Sequence, residues 1–254
     1  MRYDEIPERL AGLPGEIGFY YKNLSTGETL GHRENELFES ASVIKLPIYA
    51  VLMKLREAGE IDFAEKLLCR EEDKFPSCGA LQYFTGELSV DIRTLCGLMI
   101  SLSDNSATNL LIRRLGIGFL NEQFKTLGLA QSHIERFLFD TEASARGLEN
   151  RIVPAEMGWL LEQIALRRFV SPAASEEMEA LLCRQQIKHK IPGYLPRGTV
   201  VAHKTGEDVG ITNDVGIVFA KEPFVLCFAS NRTDVPQAER TLRELALALY
   251  EHCS

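Results

Sequence analysis

Apolar residues at Ile44, Ile48, Val51, Leu52 and Leu55 recur at helical spacing, which predicts a helix over residues 42–57 closed by Gly59. Pro47 has no amide proton to give and is tolerated only in a first turn, so this helix must begin close to Ser42. Upstream, β-rich residues 16–22 and 28–32 flank the turn residues Asn23-Leu24-Ser25-Thr26-Gly27, the pattern of a hairpin. Apolar stripes over 90–102, 105–115 and 118–127 predict three consecutive helices, divided by Ser103-Asp104 and Gly116. Periodicity then disappears over 133–153, where Asp140, Thr141, Ser144, Gly147 and Asn150 predominate. A connection of that length inside a compact domain is usually functional. Helical spacing returns over 154–166 and 172–183. Three β-rich runs follow (199–204, 211–220 and 224–230), and an amphipathic helix closes the chain from about Pro236 to His252.

Strands at both ends with helices between them predict an α/β chain of the α+β type. The two ends share one antiparallel sheet, with helices on its faces. The pattern contains no internal repeat, linker or low-complexity segment.

Composition narrows the function classes. With 254 residues, 45% hydrophobic and 25% charged, the chain has the balance of a water-soluble globular protein. A formal charge of −8, with no cluster of Lys or Arg, argues against nucleic acid as a partner. No apolar run is long enough to span a bilayer. Met1-Arg2-Tyr3-Asp4-Glu5 carries acid where a secretory signal would be apolar, so the expectation is a cytoplasmic protein. The six cysteines are far apart, form no C-x-x-C pair and lie near no histidine cluster; neither a metal nor another cofactor is expected.

Three short motifs carry chemistry: Ser42-Val43-Ile44-Lys45, Ser103-Asp104-Asn105 and Lys204-Thr205-Gly206. A serine hydroxyl at a helix start lies among unpaired amides that favour developing negative charge. Lys45, three residues on, shares its face and can take the hydroxyl proton when neutral. Taken alone, Ser42 reads more readily as an ordinary cap and Lys45 as a surface residue, because such caps are routine. Asp104 fits an ordinary helix cap, Ser103 a proton relay, and Asn105 a group that orients Lys45 and binds a substrate carbonyl. Lys204-Thr205-Gly206 is placed at the end of the run 199–204, where a plain turn is the alternative. There Gly206 admits a substrate to the strand edge, and the amide of Glu207 would complete an oxyanion hole with that of Ser42. Lys204 and Thr205 would hold a substrate carboxylate.

The three motifs together resemble those of class A serine β-lactamases and related penicillin-recognising peptidases. The likeness runs from about Gly18 to His252. It is similar to a class A-like branch in which a Gly-Ala-Leu-Gln stretch, here Gly79 to Gln82, precedes the second motif. The resemblance implies a sheet lobe (about 1–60 and 190–254) and a helical lobe (about 61–189) in a single domain, with the site between them. It also implies Ser42 as nucleophile, Lys45 as base or relay, Ser103 as shuttle, and Asn105 and Lys204 as positioning groups. The substrate would be a small molecule, a β-lactam or peptide-like acyl donor. A related peptidase or esterase is the alternative, as is a penicillin-binding protein that acylates but deacylates slowly.

Three departures from the family pattern stand out. The loop glutamate that activates water in class A enzymes falls at or beside Leu138, and leucine cannot act as a base. Glu142 is the expected substitute, with Asp140 as the other acid nearby. An arginine that often binds the substrate carboxylate is replaced by Asn213; Arg232 is a candidate substitute, with capping of a strand end as its more ordinary role. Cys96 matches half of a disulfide of some relatives, but the partner position holds Tyr49, so no such bridge forms.

Overall fold

The structure, a computed structural model, describes residues 1–76 and 78–254. Its centre is a five-stranded antiparallel sheet built from both ends of the chain. The predicted hairpin is β1 (Glu16–Asn23) and β2 (Thr29–His32); the closing strands are β7 (Val201–Asp208), β8 (Ile211–Val218) and β9 (Phe224–Asn231), in the order β2-β1-β9-β8-β7. Every residue of β8 and β9 is buried, because both faces of the sheet are covered. Side chains alternate between those faces. Phe224, Leu226 and Phe228 of β9 join a core with α1 (Ile6–Ala11) and the terminal helix α9 (Val235–His252), whereas Val225, Cys227 and Ala229 enter the larger core on the other face.

At the centre of that larger core lies α2 (Lys45–Glu57). Its residues from Lys45 to Met53 are all buried, so the helix is wrapped by apolar neighbours on every side, and its N-terminal end is held firmly. The remaining helices are α3 (Ile92–Ser101), α4 (Asn105–Leu115), α5 (Ile117–Thr126), α6 (Thr141–Ala145), α7 (Pro154–Ala165) and α8 (Pro172–Leu182). Two small antiparallel pairs complete the fold, β3 (Phe38–Glu39) with β6 (Arg151–Ile152), and β4 (Lys66–Cys69) with β5 (Leu88–Asp91).

Two local expectations need correction. Residues 41–44 form a 3₁₀ turn ahead of α2, so Ser42 sits inside that turn and not at a helix cap. Lys204-Thr205-Gly206 does not end a strand: β7 continues to Asp208, with these three residues registered against Val215, Asp214 and Asn213, and the chain turns only at Val209-Gly210. Irregularity over 133–153 is broken by the single turn and a half of α6 and by β6. Among the described residues no helix is long and apolar enough to cross a membrane, and all six cysteines are free.

Candidate active site

Ser42, Lys45, Ser103, Asn105 and Lys204 meet around one cleft. Lys45 Nζ lies 2.8 Å from Ser42 Oγ, 3.0 Å from Ser103 Oγ, 2.7 Å from the Ser103 carbonyl and 2.6 Å from Asn105 Oδ1. Lys204 Nζ approaches the same Ser103 hydroxyl from the other side, at 3.1 Å, and donates to the Thr205 carbonyl at 2.8 Å. Ser103 Oγ thus bridges two amines, both wholly buried.

Burial decides the charge of those amines. Desolvation, reinforced by the neighbouring Lys204 charge, holds Lys45 well below the ordinary lysine value. Lys204 is pushed down to about 7, again chiefly by burial, with Asp214 opposing the shift. A neutral Lys45 has two N–H groups, one each for the Ser103 carbonyl and Asn105 Oδ1, and a lone pair left for the Ser42 hydroxyl proton, while the Ser103 hydroxyl can accept from Lys204.

Backbone geometry places these groups. Ala41 (φ 42°) and Ser103 (φ 57°) both adopt the left-handed region that residues with a Cβ seldom occupy. At Gly206 a Cβ would come 2.8 Å from the Ser40 carbonyl oxygen and 3.1 Å from the Ser42 nitrogen. Glycine there lets β7, the edge strand, lie against the turn that carries Ser42. Asp104 caps α4, accepting from Ala107 N at 2.9 Å, while its other oxygen accepts from Ala80 N at 2.7 Å and Leu81 N at 2.9 Å. A side chain at Gly79 would overlap that carboxylate, which explains a glycine at the head of the Gly-Ala-Leu-Gln stretch.

The cleft has a volume of about 430 Å³; Ser42, Ser103, Asn105, Thr205, Gly206 and Glu207 are all in its lining, with Leu138 and Asp140 from the loop opposite. Glu142 is not. It stands exposed in the first turn of α6 and is absent from the cleft lining, so the structure does not support it as the water-activating base. The reason is local: Asp140 caps α6 through Ala143 N, at 2.8 Å, and the buried face of that short helix belongs to Ala143. Asp140 does reach the lining, but its carboxylate is engaged in that cap. Leu138 is buried, with its backbone clamped at both N–H and C=O by the side chain of Asn109, each at 2.9 Å.

Asn213 turns away from the cleft. Its Nδ2 donates to the carbonyls of Glu39 (2.9 Å) and Ser40 (3.1 Å), and its Oδ1 accepts from Ser230 N, so it fastens the segment leading into the Ser42 turn to the sheet. Arg232 pairs with Glu16 on the surface and is not among the cleft residues. Several site features carried no sequence signal. The cleft also includes exposed Cys78, and its far wall is held by the Arg136–Glu149 ion pair, at 2.7 Å. Buried Lys190 reaches the Gly206 carbonyl of β7, and a buried pair at 3.0 Å joins His203 of β7 to Asp214 of β8.

Only one group of possible metal ligands, His189, Glu207 and Glu239, comes together among the described residues. Lys190 and Arg243 already pair with its two carboxylates, at 3.2 Å and 3.5 Å, so cations occupy the charge that a metal would need.

The chain belongs to the β-lactamase enzyme family, whose model matches residues 2–253. A β-lactamase of Streptomyces lavendulae is 27% identical over 92% of this chain and 81% of its own length. Among solved structures, PBP-A is 28% identical with a TM-score of 0.88, covering 98% of this chain and 94% of its own. A leucine-to-glutamate variant of PBP-A has also been solved as its acyl-enzyme with penicillin G. The β-lactamase of Sphaerobacter thermophilus is 27% identical with a TM-score of 0.88, covering 99% and 97%. Family and fold define a hydrolase of the serine β-lactamase type.

Proposed function

We propose that the chain opens the β-lactam amide through an acyl-enzyme on Ser42, and that hydrolysis of this ester is its slow step. The observation that carries the reading is the convergence of Ser42 Oγ, Ser103 Oγ and two buried amines within 3.1 Å contacts. Neutral Lys45 takes the Ser42 proton as Oγ attacks the carbonyl carbon. The amides of Ser42 and Glu207 hold the oxyanion, a contribution of roughly 3–4 kcal/mol per donor in such sites. The C–N bond breaks as Ser103 passes its proton to the ring nitrogen, and Ser103 recovers a proton from the amines at its back. Asn105 orients Lys45, while Lys204, Thr205 and Gly206 seat the substrate along the edge of β7. The same reading takes the chain as one domain, with the cleft between the sheet lobe (about 1–60 and 190–254) and the helical lobe (about 61–189).

Slow deacylation is supported by the place of Leu138 in the cleft wall, where a water-activating carboxylate is needed, and by the exposure of Glu142. Incubation with benzylpenicillin followed by intact-mass measurement tests it: a one-to-one adduct that outlasts the free drug's consumption is expected. Absence of both adduct and ring-opened product would remove the proposal. Glu142→Gln is expected to leave both acylation and turnover within about twofold of wild type, as for an exposed side chain; a tenfold slower turnover would restore that residue as the base.

The proton balance of the paired amines gives a further expectation. Acylation requires neutral Lys45, so its rate rises with pH through the Lys45 titration. Lys204→Met removes one of the two causes that depress Lys45, so Lys45 keeps its proton to higher pH. The acid limb of the acylation pH profile, followed by stopped flow, is expected to move to higher pH. An unmoved limb would show that the two amines do not sense each other.

A further inference from the structure

We propose that Lys190 is a positioning residue that holds and polarises the oxyanion peptide from behind; this rests on the reading above that the Glu207 amide is an oxyanion donor. Lys190 has no solvent exposure, although an ammonium so placed is costly unless it is well paired. Its Nζ donates to the Gly206 carbonyl at 2.9 Å and the Asn213 carbonyl at 3.3 Å, and lies 3.2 Å from the Glu207 carboxylate.

The Gly206 carbonyl and the Glu207 N–H belong to one peptide unit. That unit is planar and trans, so its C=O and N–H point in opposite directions. Gly206 is registered against Asn213 on β8, and the carbonyls of this pair share Lys190, so the Gly206 C=O faces into the sheet. β7 is the edge strand, with no strand paired to its outer side among the described residues. The Glu207 N–H therefore points off that free edge, where the Ser42 turn packs against Gly206. A cation on the carbonyl draws electron density through the amide and strengthens its N–H as a donor, while the added grip on the Glu207 carboxylate fixes the plane of the peptide. Lys190 is not itself in the cleft lining; it reaches the site from behind through Gly206 and Glu207. Its charge also helps hold Lys204 below the ordinary lysine value, an effect that the ester carbonyl band of the acyl-enzyme separates from polarisation of this peptide.

Lys190→Met keeps the length and apolar stem of the side chain while removing its charge and donors. The acylation rate constant with benzylpenicillin is expected to fall about tenfold, less than for loss of a whole donor because the amide itself remains. The decisive readout is the infrared ester carbonyl band of the acyl-enzyme, formed with carbonyl-labelled benzylpenicillin. A strong oxyanion hole lowers that frequency. Lys190→Met is expected to raise it, and Lys190→Arg, which keeps the cation, to return it toward wild type. Should Lys190→Met not fold, Lys190→Gln is read instead, with the same upward shift expected. A folded neutral variant with an unchanged ester band would overturn the inference even if its acylation slowed. Absence of any acyl-enzyme in the wild-type protein would instead remove the oxyanion reading on which the inference depends.

Discussion

Ser42→Ala is expected to abolish the covalent penicillin adduct, with acylation falling by about 10⁶-fold, as removal of the serine nucleophile does in Ser-His-Asp hydrolases of unrelated fold. The fold should survive. Lys45 loses one oxygen partner but keeps the Ser103 carbonyl, the Ser103 hydroxyl and Asn105 Oδ1, and Ser42 itself is only half-buried. Melting temperature and intact mass, measured on the same sample, separate loss of the nucleophile from loss of structure. An adduct persisting in Ser42→Ala would move the nucleophile elsewhere, and Cys78 in the same cleft would be the next candidate to map by peptide digestion.

Leu138→Glu is expected to convert a lasting acyl-enzyme into a turning-over one, with deacylation faster by about 10²–10⁴-fold, the usual contribution of a positioned general base. The side chain can change without redirecting the loop, because the Asn109 amide holds the residue 138 backbone from both sides. The nearest cleft cation on the loop, Arg136, is already paired with Glu149 and leaves a new carboxylate available to water. Replacing a buried leucine with an acid should cost about 1–3 kcal/mol of stability, read as a lower melting temperature. An adduct lifetime equal to that of wild type would show that the missing base is not the reason for slow deacylation.

How far the sequence could be read depended on whether a feature was local. The bounds of α4 follow from the cap at Asp104 and from Gly116, and the hairpin of β1 and β2 from its turn residues, all within a few positions of the elements they set. The expectation that Glu142 would reach the cleft did not match the structure because spacing along a loop gives distance from a motif but not direction. The cap at Asp140 turned a short helix so that Ala143 faced inward and Glu142 outward. The error at Gly206 had a different source: a glycine after a β-run suggests a turn, whereas this one serves the close approach of two backbones far apart in sequence.

Order and chemistry of the three motifs were enough by themselves to select the family and to single out Ser42, Lys45 and Lys204 as candidates for the proposed nucleophile and its amine partners, since reactive side-chain types at short fixed spacings are properties of the chain. Only the folded molecule decided the rest. Burial pushed Lys45 and Lys204 below the ordinary lysine value, the edge position of β7 freed one side of its backbone, and Lys190 was brought to the Gly206 carbonyl from 16 residues away. Desolvation and the direction of a peptide dipole arise from neighbours supplied by the whole fold, so no window of sequence contains them.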